Sequence, residues 1–527
     1  MKILYILYFT ILIAASIYAQ NTFVTGEKNP QIEDTWLSRR LSDAKINRYA
    51  DSVIKPNTAS STDTTNILAP DSMKYNMYGG LLNDDPIYNK KLPVWKPVVQ
   101  IVIQEVLLNL VDHYAMHFDW ATVGFHSWDR TALHSGFPWN KGWEWDNARF
   151  GNDFLLHPYT GASYFNAARS SGYNFWESSI FVFGGSYLWK LFGENGGTQF
   201  SPAKNSLIAT TLGGMIMGEG LYRLGSDVID VRSTGVERVS RELLAFIISP
   251  GRSFSRFLSG RLFDHTTEDV YQTEPLNITF APGYHRVNEG TSLQQGSNSF
   301  NLNINLDYGN PFEKRFRKPF DYYRVRSDLD FGVGRKIADN ITGYGILYGQ
   351  NIQSGSIGSL AGIFQHMDYF DNKTFELATF AFGTGLISEI PLSHNSSLYT
   401  NLHIGLVPFG ALSNRFGPDT TQIGDFDFDG GAQMSFEGTY NIEGWVGLTF
   451  TGYYWWMHTY HGIAGNSYIG LIKPRITVKI YDNMSIGFEQ LVYYSDRYPR
   501  DFVSVHSVRT EEKIFFQLFI EQFKFKK

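Results

Sequence analysis

The 527-residue chain contains no cysteine, which excludes disulfide bonds, thiolate metal sites and a lipid anchor on an N-terminal cysteine. Charged residues are scarce, at 18%, and the net charge of −6 gives no reason to expect nucleic-acid binding. The GxSxG nucleophile elbow of many hydrolases is also absent. No complete catalytic motif is therefore legible in the sequence.

Long apolar runs are confined to the N-terminus. Residues 1–19 combine one lysine, an apolar run and small residues before Gln20, which predicts a secretory signal peptide cleaved after Ala19. A membrane helix needs about 20 apolar residues. The later candidates, 98–111 and 175–192, are interrupted by polar side chains, so an inner-membrane protein is disfavoured.

Aromatic residues and glycine are abundant: the chain has 31 Tyr, 41 Phe and 50 Gly, yet its mean hydropathy is −0.22. From about residue 274 apolar and polar residues alternate, as in Phe300 to Tyr308 and Val446 to Trp456. One apolar and one polar face per strand is typical of a membrane barrel. We predict an α+β protein in which an N-terminal all-helical domain (93–268) precedes an antiparallel transmembrane β-barrel (269–527). The barrel should have about 12 strands, within a range of about 10 to 14.

Residues 20–92 are polar and rich in hydroxyls, which predicts a periplasmic arm or linker. The segment 97–118 has a helical period that places Glu105, Asn109, His113 and His117 on one face. Histidines at i and i+4 can share a metal ion, so His113 and His117 are candidate ligands of a divalent metal. The alternative is a polar stripe that faces neighbouring helices, and no cofactor is predicted on that interpretation.

The block 150–224 is organised around polar residues embedded in apolar helices. Three helices are predicted, at about 159–171, 175–192 and from Ser201-Pro202 onward, with Ser201 as the N-cap of the third. If they pack together, His157, Glu177, Glu219 and Arg169 could form a catalytic site. A histidine with a glutamate makes a general base, and the candidate nucleophiles are Ser170, Ser178 and Ser186. The alternative is that these residues only hydrogen-bond helix to helix.

The same region resembles the uncharacterised bacterial family called domain of unknown function 3943. The resemblance covers about residues 97–265 and rests on motifs such as Trp145-Asp146-Asn147, His157-Pro158-Tyr159 and Trp176-Glu177-Ser178. It implies a shared helical fold and brings no activity. Ala148, Lys190 and Ser206 depart from acidic positions of the family pattern. The motif residues expected to support the fold are Asn152, Asn166, Trp176, Trp189, Asn205 and Gly213.

Six arginines lie between residues 228 and 264. They are expected either to bind the phosphate groups of lipids or to pair with local carboxylates.

We expect an outer-membrane protein of a Gram-negative bacterium, with a helical plug or periplasmic cap and a structural or transport-assisting role in the envelope. The alternatives are an enzyme that hydrolyses or modifies envelope lipid or peptidoglycan, and a passive pore. Expected partners are outer-membrane lipids and the barrel assembly machinery, together with a periplasmic protein whose identity the sequence does not indicate.

Overall fold

The computed structural model describes residues 91–114, 143–146, 150–193, 202–263, 274–288, 296–314, 317–332, 336–374, 376–414, 426–442 and 444–521. The predicted signal peptide, nearly all of the polar arm, and His117 and Ala148 lie outside these ranges. Within them six α-helices precede the strands: α1 (Trp95–Tyr114), α2 (His157–Ser170), α3 (Phe175–Leu188), α4 (Lys204–Val228), α5 (Gly235–Ile248) and α6 (Pro250–Leu258). None of these helices combines the length and apolar character that crossing a membrane requires.

Local sequence explains where the helices begin. A π-helical turn, Asn152–Leu156, leads directly into α2. Asn174 and Glu177 form a capping box at the start of α3, each side chain accepting from the other's backbone N–H. The N-cap of α4 is Ala203, whose side chain offers no hydrogen bond. The prediction that Ser201 caps this helix is therefore wrong, because the helix starts later than the proline was expected to place it.

Twelve antiparallel strands close into a barrel in which every strand pairs with its sequence neighbours and β1 pairs with β12. They are β1 (Leu276–Asn288), β2 (Gly296–Tyr308), β3 (Tyr323–Asp330), β4 (Ala338–Ser354), β5 (Ile357–Asp371), β6 (Glu376–Ser393), β7 (Ser396–Ser413), β8 (Phe426–Ile442), β9 (Val446–His461), β10 (Gly465–Tyr481), β11 (Met484–Pro499) and β12 (Val505–Ile520). This architecture confirms the predicted fold class and strand number.

The two ends of the barrel differ in their connections. At one end, which we call the turn end, four of the connections span only two or three residues (355–356, 394–395, 443–445 and 482–483). The opposite end, the loop end, carries 289–295, 331–337, 372–375, 414–425, 462–464 and 500–504. In bacterial barrels the short turns face the periplasm. The chain enters β1 and leaves β12 at this turn end.

Alternation along the strands separates a polar lumen from an apolar outer face. On β7, Asn401 and His403 are buried in the lumen, whereas Leu402, Ile404 and Leu406 point outward and are exposed. Exposed aromatic side chains occur near both ends of the outer face: Trp445 and Tyr481 near the turn end, and Trp456 and Tyr494 towards the loop end. An apolar band flanked by aromatic residues is what a lipid-facing barrel wall requires.

The alternation of apolar and polar residues did not single out strands β1, β4, β5 and β6. On β6 the lumen residues Leu377 and Ala381 are apolar, as are the outward Ala378 and Phe380, and all four are buried. The lumen pair belongs to an apolar cluster inside the barrel, and the outward pair is covered by helices. A strand that is buried on both faces loses the period-2 signal.

The helical region packs against the outer face of the barrel wall. Outward-facing Phe380 contacts Phe154 and lies where a side chain on Gly213 of α4 would sit. Gln365 of β5 donates to the Leu212 carbonyl of α4 at 3.0 Å. The same helix accepts a hydrogen bond from Tyr323 of β3 at its Gly220 carbonyl. The described helices thus lie beside the wall, so the expectation of a plug in the lumen or a cap beneath it is wrong.

Helix α4 runs along the wall from the loop end toward the turn end, and α2 packs on it at a very close crossing. A Cβ atom at Gly161 would lie 2.2 Å from the Thr210 carbonyl oxygen, and one at Gly214 would meet the Gly161 backbone. Only glycine permits this approach of two helix backbones.

Candidate functional site

The first polar cluster of the helical region, the acid–imidazole cluster, comprises Asp153, His157, Asn205 and Ser206. Asp153 lies in the π-helical turn and its side chain is fully buried. Its carboxylate accepts from Asn205 Nδ2 at 3.1 Å and from Ser206 Oγ at 3.3 Å. His157 is four residues later, with Nδ1 3.5 Å from Asp153 Oδ1 and 23% of its side chain exposed. A π-helical turn is a frequent feature of functional sites.

This arrangement can orient an imidazole for proton transfer. At 3.5 Å the Asp153 carboxylate attracts a protonated imidazole but is too far from Nδ1 for a normal hydrogen bond. If this contact shortened when a substrate bound, the carboxylate would hold the proton on Nδ1 and proton exchange with the substrate would run through Nε2. Asn205 also exchanges two hydrogen bonds with the Asp146 backbone, each 2.9 Å long. The cluster therefore joins the start of α2, the start of α4 and the segment at Trp145-Asp146.

The predicted pairing of His157 with Glu177 or Glu219 is not formed. Glu177 lies at the start of α3, where it accepts from the Asn174 N–H and from the Lys91 ammonium. The Lys91 hydrogen bond, together with that backbone N–H, holds the pKa of the Glu177 carboxyl below its usual range. Glu219 is buried in another cluster. The sequence pattern showed that these polar groups were embedded in helix but could not show which of them meet.

The second cluster, the arginine–glutamate cluster, comprises Arg169, Glu219, Arg223 and Asp321. Arg169 Nε donates to Glu219 Oε2 at 2.7 Å and its Nη2 to Oε1 at 3.3 Å, while Arg223 Nε donates to Oε1 at 3.0 Å. Arg223 also reaches Asp321, before β3, at 3.3 Å. All four side chains are at most 2% exposed. The cluster links α2 to α4 and α4 to the barrel, which is the structural role that the sequence left open for Arg169 and Glu219.

The remaining predicted residues serve varied contacts. Asn166 is buried and donates to Ser249 Oγ at 2.8 Å, whereas Trp176 is 54% exposed. Asn152 lies in the π-helical turn before α2, and Trp189 begins the π-helical turn after α3. Among the candidate nucleophiles, Ser178 donates to the Tyr173 carbonyl, and Ser170 and Ser186 are buried. The nucleophile role of these three serines stays a prediction, as do the catalytic roles of His157, Arg169, Glu177 and Glu219.

The predicted metal site falls partly beyond the described residues. His113 lies within α1, its side chain is outside the described set, and so is all of His117. Among the residues that the structure describes, no group of three or more His, Asp or Glu side chains is placed to hold a metal ion.

Most of the six arginines between residues 228 and 264 pair with local carboxylates. Arg238 and Arg256 reach Glu242, and Arg241 reaches Glu237. Burial raises the pKa of the Asp230 carboxyl, but hydrogen bonds from the side chain and backbone N–H of Arg232 outweigh burial and hold that pKa below its usual range. These pairs support the local-pairing interpretation over a dedicated phosphate site.

The lumen is crossed by ion pairs. Arg324 of β3 donates to Glu437 of β8 at 3.1 Å, although four strands separate them around the wall, and Arg326 joins the same carboxylate. Nearer the loop end, Lys513 of β12 lies 3.2 Å from Asp328 of β3. A cavity of about 30 Å³ beside Arg324 is large enough for about one water molecule. Side chains of facing strands therefore meet across the lumen at this level.

His285 of β1 makes a further bridge between lumen carboxylates. Its Nδ1 lies 2.8 Å from Asp330 and its Nε2 3.0 Å from Glu511. Ser299 and Thr374 donate to the same two carboxylates. The period-2 pattern predicted the strands that carry Asp330 and Glu511 but not the contact of these carboxylates with His285, because a lumen contact depends on the curvature of the closed sheet.

A closed antiparallel barrel with a charged lumen and an apolar outer face defines a transmembrane β-barrel protein, here with a helical region packed on its wall. Residues 142–251, which include both polar clusters apart from Asp321, match the family described as Domain of unknown function (DUF3943). This confirms the resemblance noted from the sequence motifs. No curated protein matches the chain.

Solved structures that resemble the chain include a porin and two outer membrane channels. The NanC porin is 8% identical, with 46% of this chain and 98% of that chain covered and a TM-score of 0.26. The outer membrane channel DcaP of Acinetobacter baumannii is 9% identical, with 46% and 96% covered and a TM-score of 0.23. An outer membrane channel from Pseudomonas putida F1 is 5% identical, with 48% and 100% covered and a TM-score of 0.26. Similarities this low do not assign a function.

Proposed function

We propose that this protein resides in the outer membrane of a Gram-negative bacterium and acts on or organises envelope lipid at its outer wall, not through its lumen. The observation that carries the proposal is the opposite character of the two faces of the barrel. The lumen is crossed by the Arg324–Glu437 and Lys513–Asp328 pairs. The outer wall, in contrast, carries the helical region with both of its polar clusters.

Insertion by the barrel assembly machinery belongs to the same proposal, because both ends of the barrel sequence lie at the turn end, as in bacterial outer-membrane barrels. We also propose that the polar arm, residues 20–92, binds a periplasmic protein. A passive pore is disfavoured by the ion pairs that cross the lumen. The sequence disfavoured a passive pore for a different reason, namely a helical domain that would occlude the lumen.

The proposal is tested by reconstituting the purified protein in planar bilayers and in vesicles of phospholipid with and without lipopolysaccharide. We expect no stepwise ion conductance, and we expect added envelope lipid to raise the thermal unfolding midpoint relative to detergent alone. Steady conductance of the wild-type protein, with no stabilisation by lipid, would instead identify a pore.

A second candidate, an enzyme acting on envelope lipid, is favoured by one specific observation. Asp153 is a fully buried carboxylate placed beside a partly exposed imidazole, His157. A general base of this kind contributes about 10²–10⁴-fold to a reaction rate.

The test is release of fatty acid from phospholipid or lipopolysaccharide vesicles by wild type, His157→Ala, Asp153→Asn and Glu177→Gln. If the protein is an enzyme of this kind, His157→Ala should lose activity with an unchanged unfolding midpoint, Asp153→Asn should lose activity as well, and Glu177→Gln should keep its activity. Absence of release by the wild type, or equal loss in all three variants, rejects the Asp153–His157 site.

A further inference from the structure

Helix α1 has its polar and apolar faces reversed relative to a water-soluble protein. Its buried positions include Gln100, Gln104 and Glu105, and Gln100 Nε2 donates to the Gly251 carbonyl at 2.9 Å. Its exposed positions include Val98, Val99, Val102, Ile103 and Val106, which are 36–52% exposed. A helix that borders water turns its apolar stripe to the core and its polar side chains outward.

Helix α3 also turns large apolar side chains outward. Trp176, Ile180 and Phe183 are 54%, 71% and 38% exposed and follow one another at helical spacing. The buried face of the helix carries the small residues Ser178, Gly185 and Ser186 together with Phe175 and Val182, so the helix is apolar on both faces. At Gly185 a Cβ atom would approach the Tyr164 ring to 2.8 Å. Small residues at the contact between helices are typical of helices that pack together in lipid.

The position of these helices along the barrel puts their exposed apolar faces at the level of the bilayer. Helix α4 lies against outward-facing side chains of the wall, and its 25 residues give a length of about 37 Å. Helix α1 packs on α2 through Ile101 and Tyr164, and Phe175 at the start of α3 stacks on Phe320, just before β3. The hydrocarbon core of a bilayer is about 30 Å thick.

The start of α3, beside the turn end of the barrel, carries the groups expected at a membrane boundary. Trp176 is 54% exposed, and the next residue, Glu177, forms an ion pair with Lys91. Exposed aromatic and charged side chains of this kind mark a membrane–water interface.

We propose that the exposed faces of α1 and α3 are immersed in the acyl chains of the membrane, so that the helical region is a lateral, lipid-embedded extension of the barrel. The occupant of this face is lipid because the face is apolar and continues the outer wall. The proposal rests on the proposed outer-membrane location. Inside such a region the arginine–glutamate cluster is shielded from both lipid and water, which explains why its charges neutralise one another.

The chain's lack of cysteine allows a direct test, since single cysteines can be introduced without background. Val102→Cys and Ile180→Cys place a nitroxide spin label on α1 and α3. Ile404→Cys, on the exposed outer face of β7, is the lipid control, and Asp501→Cys, in an exposed connection at the loop end, is the aqueous control. Collisional broadening by oxygen and by a water-soluble nickel chelate is then compared in reconstituted vesicles.

We expect the Val102 and Ile180 labels to match Ile404, with high oxygen and low nickel accessibility. If they match Asp501 while Ile404 remains in lipid, the helical faces border water and the inference fails although the barrel location stands. If Ile404 is itself accessible to nickel, the membrane location fails. Shielding of the helical labels from both reagents means that protein covers the face, which also overturns the inference. Unchanged heat-modified electrophoretic migration of each variant checks that the barrel is folded.

Discussion

Replacing Glu219 by glutamine tests whether the arginine–glutamate cluster holds the helical region to the barrel. The carboxylate accepts three hydrogen bonds from two arginines and is completely buried. In Glu219→Gln the volume is kept, but Arg169 and Arg223 lose the negative charge that they share. Removal of one partner from a buried ion pair costs about 3–5 kcal/mol. Asp321 still neutralises part of the Arg223 charge, so we expect a loss near the lower limit, about 3 kcal/mol.

The free energy of unfolding would be measured by guanidinium titration in lipid vesicles, with tryptophan fluorescence and far-UV circular dichroism as probes. Glu177→Gln is the matched control, because it makes the same chemical change at a carboxylate that is 33% exposed and pairs with Lys91. A surface pair of this kind contributes at most about 1 kcal/mol. If the two variants lose equal stability, or if Glu219→Gln unfolds like the wild type, the cluster is not what fastens the helices to the wall.

Three further predictions concern the lumen, the helix crossing and pH. Glu437→Ala removes the carboxylate opposite Arg324 and should produce anion-selective conductance steps in planar bilayers, where the wild type shows none; an unchanged closed state would contradict the lumen assignment. Gly161→Ala places a Cβ atom 2.2 Å from a backbone oxygen of α4 and should reduce unfolding free energy by about 1–3 kcal/mol, with faster proteolysis of the helices. Because Arg232 holds the pKa of Asp230 below its unfolded value, this pair stabilises the fold above pH about 4 and the benefit is lost as pH falls further. In Asp230→Asn the free energy of unfolding should therefore depend less on pH below about 4, while its dependence on pH near neutrality should be unchanged.

Predictions from local periodicity were accurate because each element carries its own signal. The alternation of Asn and apolar residues from Phe300 to Tyr308 predicted a barrel strand, and the structure places it in β2. Helices α1 to α4 were each predicted within a few residues of their observed bounds. The Asp153–His157 contact also had a local signal, the spacing of four residues on a helix, although the predicted partners of His157 were the more distant Glu177 and Glu219.

Contacts across the chain had no such signal. Arg169 meets Glu219 across 50 residues, and Arg324 meets Glu437 across 113. Which arginine meets which carboxylate depends on helix packing and on the curvature of the closed sheet. The spacing of residues along the chain carries no information about helix packing or about the curvature of the sheet.

By itself the amino-acid sequence determined the helical segment before the strands, the barrel class and the polar positions within the helices, since these follow from periods of 2 and 3.6 residues. The approximate strand number followed from the length of the barrel segment. Only the tertiary structure decided where the helices lie. Outward-facing Phe380 and Phe409 are covered by helices, whereas outward-facing Ile404 and Leu406 are exposed, yet all four are apolar residues of strands. A protein neighbour and lipid favour the same kind of side chain, because both exclude water, so the pattern of apolar residues cannot distinguish them.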